Sequence, residues 1–145
     1  MRRRWLAAAL ALIALPSTSA RTGVQTGAQT GAPSFAGRWE IAGEVQGIPL
    51  DVTCVLVEAD GRVSGSCIGE DEVERKLTGT ITGTGKDRTA TWHFDTDYRD
   101  TAVTLTISGS LRDDGKTMRG TVAVWPQEVV GSFLAMRQAA QPNQP

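Results

Sequence analysis

From Phe35 onward, apolar and polar residues repeatedly alternate, as in Asp51-Val52-Thr53-Cys54 and in Val103-Thr104-Leu105-Thr106-Ile107-Ser108. No stretch keeps a helical period for three turns, and a period of two marks strands with one buried face. Gly, Asp and Pro clusters cut this pattern into eight predicted strands, approximately 36–43, 49–58, 62–68, 73–82, 88–95, 101–111, 117–125 and 130–137. The connections are short, as consecutive antiparallel neighbours require. Asp60-Gly61 and Asp114-Gly115 are the strongest hairpin signals, because type I′ turns need positive φ and Asp-Gly supplies it. The predicted fold is all-β: an eight-stranded antiparallel up-and-down barrel whose first and last strands pair and leave no edge. The alternative, a two-sheet β-sandwich, needs Greek-key connections, and no long crossover is present to supply one.

An internal repeat points the same way. Apolar-x-Gly-Ser/Thr recurs at Val63-Ser64-Gly65-Ser66, Leu77-Thr78-Gly79-Thr80, Ile107-Ser108-Gly109-Ser110, Met118-Arg119-Gly120-Thr121 and Val129-Val130-Gly131-Ser132, once on each of five strands. Period two puts the apolar residue and the glycine on one face, shared with Leu105, Ile107, Val122 and Val124. Repeated glycine inside strands implies sharp coiling of a closing sheet or a close approach to something inside. The predicted inward set mixes Trp39, Leu56, Trp92, Phe94, Leu105, Ile107 and Met118 with these glycines. Glycines at one level leave a void, and staggered glycines let facing side chains fill the barrel. A small, partly open pocket near Trp92 and Phe94 is the expectation.

The two cysteines pair by arithmetic. If Asp60-Gly61 is a two-residue turn, opposed positions sum to 121, and so do 54 and 67. Counting outward from the turn makes Cys54 and Cys67 a non-hydrogen-bonded pair, with Cα atoms about 4.5 Å apart, within reach of a disulfide. The bridge is expected to be structural, since there is no Cys-x-x-Cys and no nearby basic group to lower a thiol pKa.

The chain ends change the picture of where this domain works. Arg2-Arg3-Arg4, an uncharged run from Trp5 to Leu15, and small residues at Thr18 and Ala20 read as a secretory signal peptide over residues 1–20, cleaved after Ala20. No later stretch is apolar enough to span a bilayer, so no stable membrane anchor is expected after cleavage. The expected location is the bacterial periplasm or exterior, where a disulfide persists. Residues 21–34, with their Thr-Gly-Val-Gln, Thr-Gly-Ala-Gln and Thr-Gly-Ala-Pro-Ser units, read as a flexible tether, residues 35–137 as the barrel domain, and residues 138–145 as a disordered tail. Cleavage leaves 12 Lys/Arg against 16 Asp/Glu, a net charge of −4, with no basic cluster. That balance argues against a nucleic-acid partner, which needs a basic face to displace counterions.

Candidate chemistry is thin. His93 is the single histidine and lies between Trp92 and Phe94 on a strand, so it points away from the aromatic pair. It has no companion ligands for a metal or haem, and no cofactor is expected. Asp95-Thr96-Asp97-Tyr98-Arg99-Asp100 carries three carboxylates but lacks the glycine and distal glutamate of a calcium loop, and reads as a solvated hairpin loop. Glu70, Asp71 and Glu72 form another charged turn. No Gly-x-Ser-x-Gly elbow accompanies the lone histidine, so the chain is not expected to be an enzyme.

Gly37-Arg38-Trp39 on the first strand, Arg137 closing the last, and the eight-strand meander resemble the calycin group: lipocalins, fatty-acid-binding proteins and avidins. The resemblance implies that Trp39 closes one end of the barrel with Arg137 packed across it. It also implies a non-enzymatic binding protein holding a small apolar or amphipathic ligand in the barrel mouth, with Trp92, Phe94 and Leu105 as contact residues. Avidin-like biotin binding is not implied, because that family's closing aspartate has no counterpart in the final strand. The chain is similar, too, to periplasmic inhibitors of metalloproteases, small secreted barrels with Gly-x-Trp, one disulfide and an N-terminal segment that enters the protease. On that alternative the partner is a secreted protease met by the tail before Phe35.

Overall fold

The computed structural model describes residues 33–139. The signal peptide, tether residues 21–32 and tail residues 140–145 expected from the sequence lie outside them, whereas Gln138, assigned to the tail by composition, donates its backbone N–H to the Arg38 carbonyl at 2.8 Å. Eight strands follow in order: β1 (Gly37–Val45), β2 (Ile48–Ala59), β3 (Arg62–Ile68), β4 (Glu74–Thr82), β5 (Thr89–Tyr98), β6 (Thr101–Leu111), β7 (Thr117–Trp125) and β8 (Val129–Arg137). Each pairs antiparallel with the next, and β1 pairs with β8, so the sheet is a closed up-and-down barrel. The sandwich alternative is excluded. No helix among the described residues is long and apolar enough to cross a membrane.

Turn chemistry fixes much of the register. At Asp60-Gly61 both residues have positive φ, 53° and 72°, and the hairpin they close sets Cys54 opposite Cys67. The two form a disulfide with Cα atoms 4.0 Å apart, the bond an oxidising compartment preserves. Asp114-Gly115 behaves differently. Only Gly115 has positive φ, and the connection runs through five residues, 112–116. Asp114 organises it by accepting hydrogen bonds from the backbone N–H groups of Lys116 and Thr117, an Asx-type local turn.

The charged segment from Asp95 to Asp100 is not a loop. β5 continues to Tyr98, and the turn is Arg99-Asp100 alone, with φ of 48° and 62°. Its carboxylates are therefore spread along a strand and its turn. Asp95 points to the outer face, where it accepts a 2.6 Å hydrogen bond from Thr104, and Asp97 lies at the rim of the open end.

The Gly-Ser/Thr repeat resolves into two faces. Gly79, Gly109, Gly120 and Gly131 lie on the inner face, and the flanking hydroxyls stand outside in a cross-strand row, Thr80, Thr91, Ser108, Thr121 and Ser132. Coiling explains the glycines. A Cβ on Gly79 would lie 2.0 Å from the Thr91 carbonyl oxygen of the paired strand. At Gly109 the missing side chain is replaced by Met118 and Phe133, 2.6 and 2.7 Å from where a Cβ would be. The glycines thus admit neighbours and leave no void.

Candidate functional site

Up-and-down connectivity sends three of the seven connections to one end of the barrel and four to the other. Residues 60–61, 83–88 and 112–116 join strands at the end where both chain termini of the domain lie. That end is sealed. Trp39 and Phe35 are wholly buried, and the Trp39 indole N–H donates to the Phe35 carbonyl at 2.9 Å. The Arg137 guanidinium carbon sits 4.4 Å from the centre of the Trp39 ring. The same guanidinium donates to the carbonyls of Gly115, Ala36 and Ser34. Desolvation lowers the Arg137 pKa from its ordinary value.

A second strap holds the segment before β1. Glu58 accepts from the Phe35 N–H at 2.8 Å and the Ser34 hydroxyl at 3.1 Å, and pairs with Arg88. Arg88 also donates to the Pro33 carbonyl and lies over the Phe35 ring. Pro33 and Ser34, assigned to the tether by composition, are tied to the barrel. Partial burial pushes the Glu58 pKa up, but the hydrogen bonds from Phe35, Arg88 and Ser34 outweigh it and hold the carboxyl below its ordinary value.

The opposite end is open. Here the connections are 46–47, 69–73, 99–100 and 126–128, and a cavity of about 590 Å³ enters the barrel between them. Val45, Val52, Phe94, Val103, Leu105 and Val129 line its apolar wall. Side-chain size accounts for its position. Inward residues toward the sealed end include Trp39, Trp92, Met118 and Phe133, whereas the open end is walled mainly by valine and leucine. None of the five repeat glycines borders the cavity.

Of the contact residues expected from the sequence, Phe94 and Leu105 line this cavity and Trp92 does not. Trp92 is wholly buried and pairs with Gly79 and Ile107; its indole N–H has no hydrogen-bond partner among the described residues. The cavity is larger than the small pocket expected. The valine wall was missed because alternation identifies inward residues without showing at which end the small ones gather.

The rim is charged. Asp71 receives both terminal nitrogens of Arg75, at 2.9 and 2.5 Å, and these hydrogen bonds hold its carboxyl at about 2. Asp97 adds a longer-range attraction on Arg75. Arg99 lies over the Tyr98 ring, 5.3 Å from its centre. His93 is exposed on the outer surface between Thr78 and Thr106, away from the cavity. Among the described residues no polar or charged side chain is fully buried, and no three His, Cys, Asp or Glu side chains converge.

The arrangement is a one-mouthed container: apolar inside, charged at the lip, closed below by Trp39, Phe35 and Arg137. No protein-family model matches the chain, and no curated protein is found to be similar to it.

Proposed function

We propose that this protein is a non-enzymatic carrier or sensor, acting in the periplasm or outside the cell, that holds a small apolar or amphipathic molecule in the open end of a lipocalin-like barrel. The observation that carries this reading is the cavity itself. Its volume of about 590 Å³ lies within the range of roughly 300–1,000 Å³ in which small-molecule sites fall. Apolar walls with a few polar groups at the mouth are the usual composition of such sites, and a sealed base gives the ligand one way in.

The test is a titration with a neutral apolar fluorophore such as N-phenyl-naphthylamine, whose emission rises on leaving water. Saturable enhancement in the wild-type protein, lost in Leu105→Trp or in Val129→Phe, is expected. Both substitutions place bulk in the cavity, and circular dichroism establishes that each variant keeps its sheet. No saturable enhancement, or enhancement indifferent to both substitutions, overturns the reading. The protease-inhibitor alternative uses the other end of the molecule, since Pro33 and Ser34 enter at the sealed base. Deleting residues 21–32 therefore separates the two: fluorophore binding survives the deletion, whereas inhibition through an inserted tail would be lost.

A further inference from the structure

Charge is segregated along the barrel axis. If each strand is divided near its middle, the open-end half comprises residues 42–51, 65–77, 95–104 and 122–132 and holds ten acids against three bases, a net of −7. The remaining described residues hold six acids against eight bases, a net of +2. The cavity opens at the strongly negative end.

Local pairing sharpens the imbalance. Arg75, at the rim, is engaged by Asp71 through two hydrogen bonds, which leaves Arg99 as the remaining cation bordering the cavity. Asp51, Glu70 and Asp97 also border it, and none forms a salt bridge with a described residue. A cleft lined by one sign of charge over low-dielectric walls focuses the field and concentrates counter-ions at its mouth.

We infer that the cavity selects apolar molecules bearing a positive charge, with the hydrocarbon body against the valine wall and an amine or other cationic head at the acidic lip. This rests on the cavity-binding reading proposed above and names the class of ligand. Amphiphilic anions such as fatty acids meet the same apolar wall but an opposing lip. Because the acids are exposed, the preference is a matter of several-fold and depends on salt: opposite charges about 4 Å apart in water gain only about one factor of five to ten, and ions screen it.

The experiment uses three probes with the same rigid hydrocarbon body: adamantylamine, adamantanol and adamantane carboxylate. Amide chemical shifts of the protein are followed at neutral pH, with affinities measured at about 0.02 M and about 0.5 M salt. The expected result is saturable shifts at Val103, Leu105 and Val129, with the amine bound about fivefold or more tightly than the carboxylate at low salt and less than twofold at high salt. In Asp51→Asn/Glu70→Gln/Asp97→Asn the low-salt preference should fall toward unity. Carboxylate binding equal to or tighter than amine binding overturns the charge inference while leaving the cavity reading standing. If none of the three probes shifts the cavity residues, the cavity reading fails as well.

Discussion

Arg137 and Trp39 pair across the seam where the last strand meets the first, with the guanidinium 4.4 Å from the indole centre and Arg137 directly opposite Trp39 in the β1–β8 register. The contact thus joins the two strands whose pairing closes the barrel. Trp39→Ala should cost about 3 to 5 kcal/mol, as for other buried large-to-small changes. Arg137→Ala should cost less, about 1 to 3 kcal/mol, since it removes a cation–π contact and charge-assisted hydrogen bonds but leaves carbonyls that water can reach. Arg137→Lys should recover little of it, because an ammonium cannot serve three carbonyls and an aromatic face as a planar fork does. Urea midpoints of the three variants test this order.

The two wholly buried tryptophans differ in one atom's surroundings. The Trp39 N–H donates to the Phe35 carbonyl, and the Trp92 N–H has no partner among the described residues. Trp→Phe removes ring volume at both sites. At position 39 it also strips a carbonyl of its donor, whereas at position 92 it removes a donor whose burial is already unfavourable. Trp39→Phe is expected to destabilise by about 1 to 3 kcal/mol more than Trp92→Phe. Equal losses in thermal or urea unfolding would show that the hydrogen bond contributes nothing.

Glu58 makes the sealed base sensitive to acid. Its folded-state pKa lies below its ordinary value, so the unfolded chain takes up the proton more readily. The stability it contributes is complete above the ordinary carboxylate range and is lost as pH falls through the lowered folded value. Glu58→Gln should therefore cost about 1 to 2 kcal/mol at pH 7. The gap between variant and wild type should shrink when both are unfolded by urea near pH 3. A gap that stayed constant or widened on acidification would remove Glu58 from the acid response.

Strand order and the Cys54–Cys67 pairing were legible because both depend on short-range rules: alternation names the buried face, and a two-residue Asp-Gly turn fixes which residues oppose each other. The Trp39–Arg137 contact was legible only through a resemblance, since its partners are 98 positions apart and no local rule brings them together. The Asp95–Asp100 stretch was misread because its polarity imitates a loop, while the actual turn places Arg99 at positive φ, a residue with no special preference for it. The mouth was harder still. Its size depends on which inward residues gather at each end, a property of register summed around the barrel.

The repeat glycines distinguish two kinds of close approach that look the same in sequence. At Gly79 a new Cβ would meet the Thr91 carbonyl oxygen at 2.0 Å and the Trp92 Cα at 2.6 Å, both backbone atoms of the strand paired with it. Relief requires moving β5 away from β4 and breaking their ladder. At Gly109 the obstacles are the Met118 sulfur and the Phe133 ring tip, at 2.6 and 2.7 Å, and thioether side chains have rotamers to spare. Gly109→Ala should therefore cost about 1 to 3 kcal/mol, the usual range for an overpacked core. Gly79→Ala should cost more, above about 4 kcal/mol, among the large losses that single substitutions produce. Paired urea unfolding curves decide the matter. If Gly109→Ala proved the more damaging, side-chain filling and not strand coiling would be the main reason for glycine on the inner face.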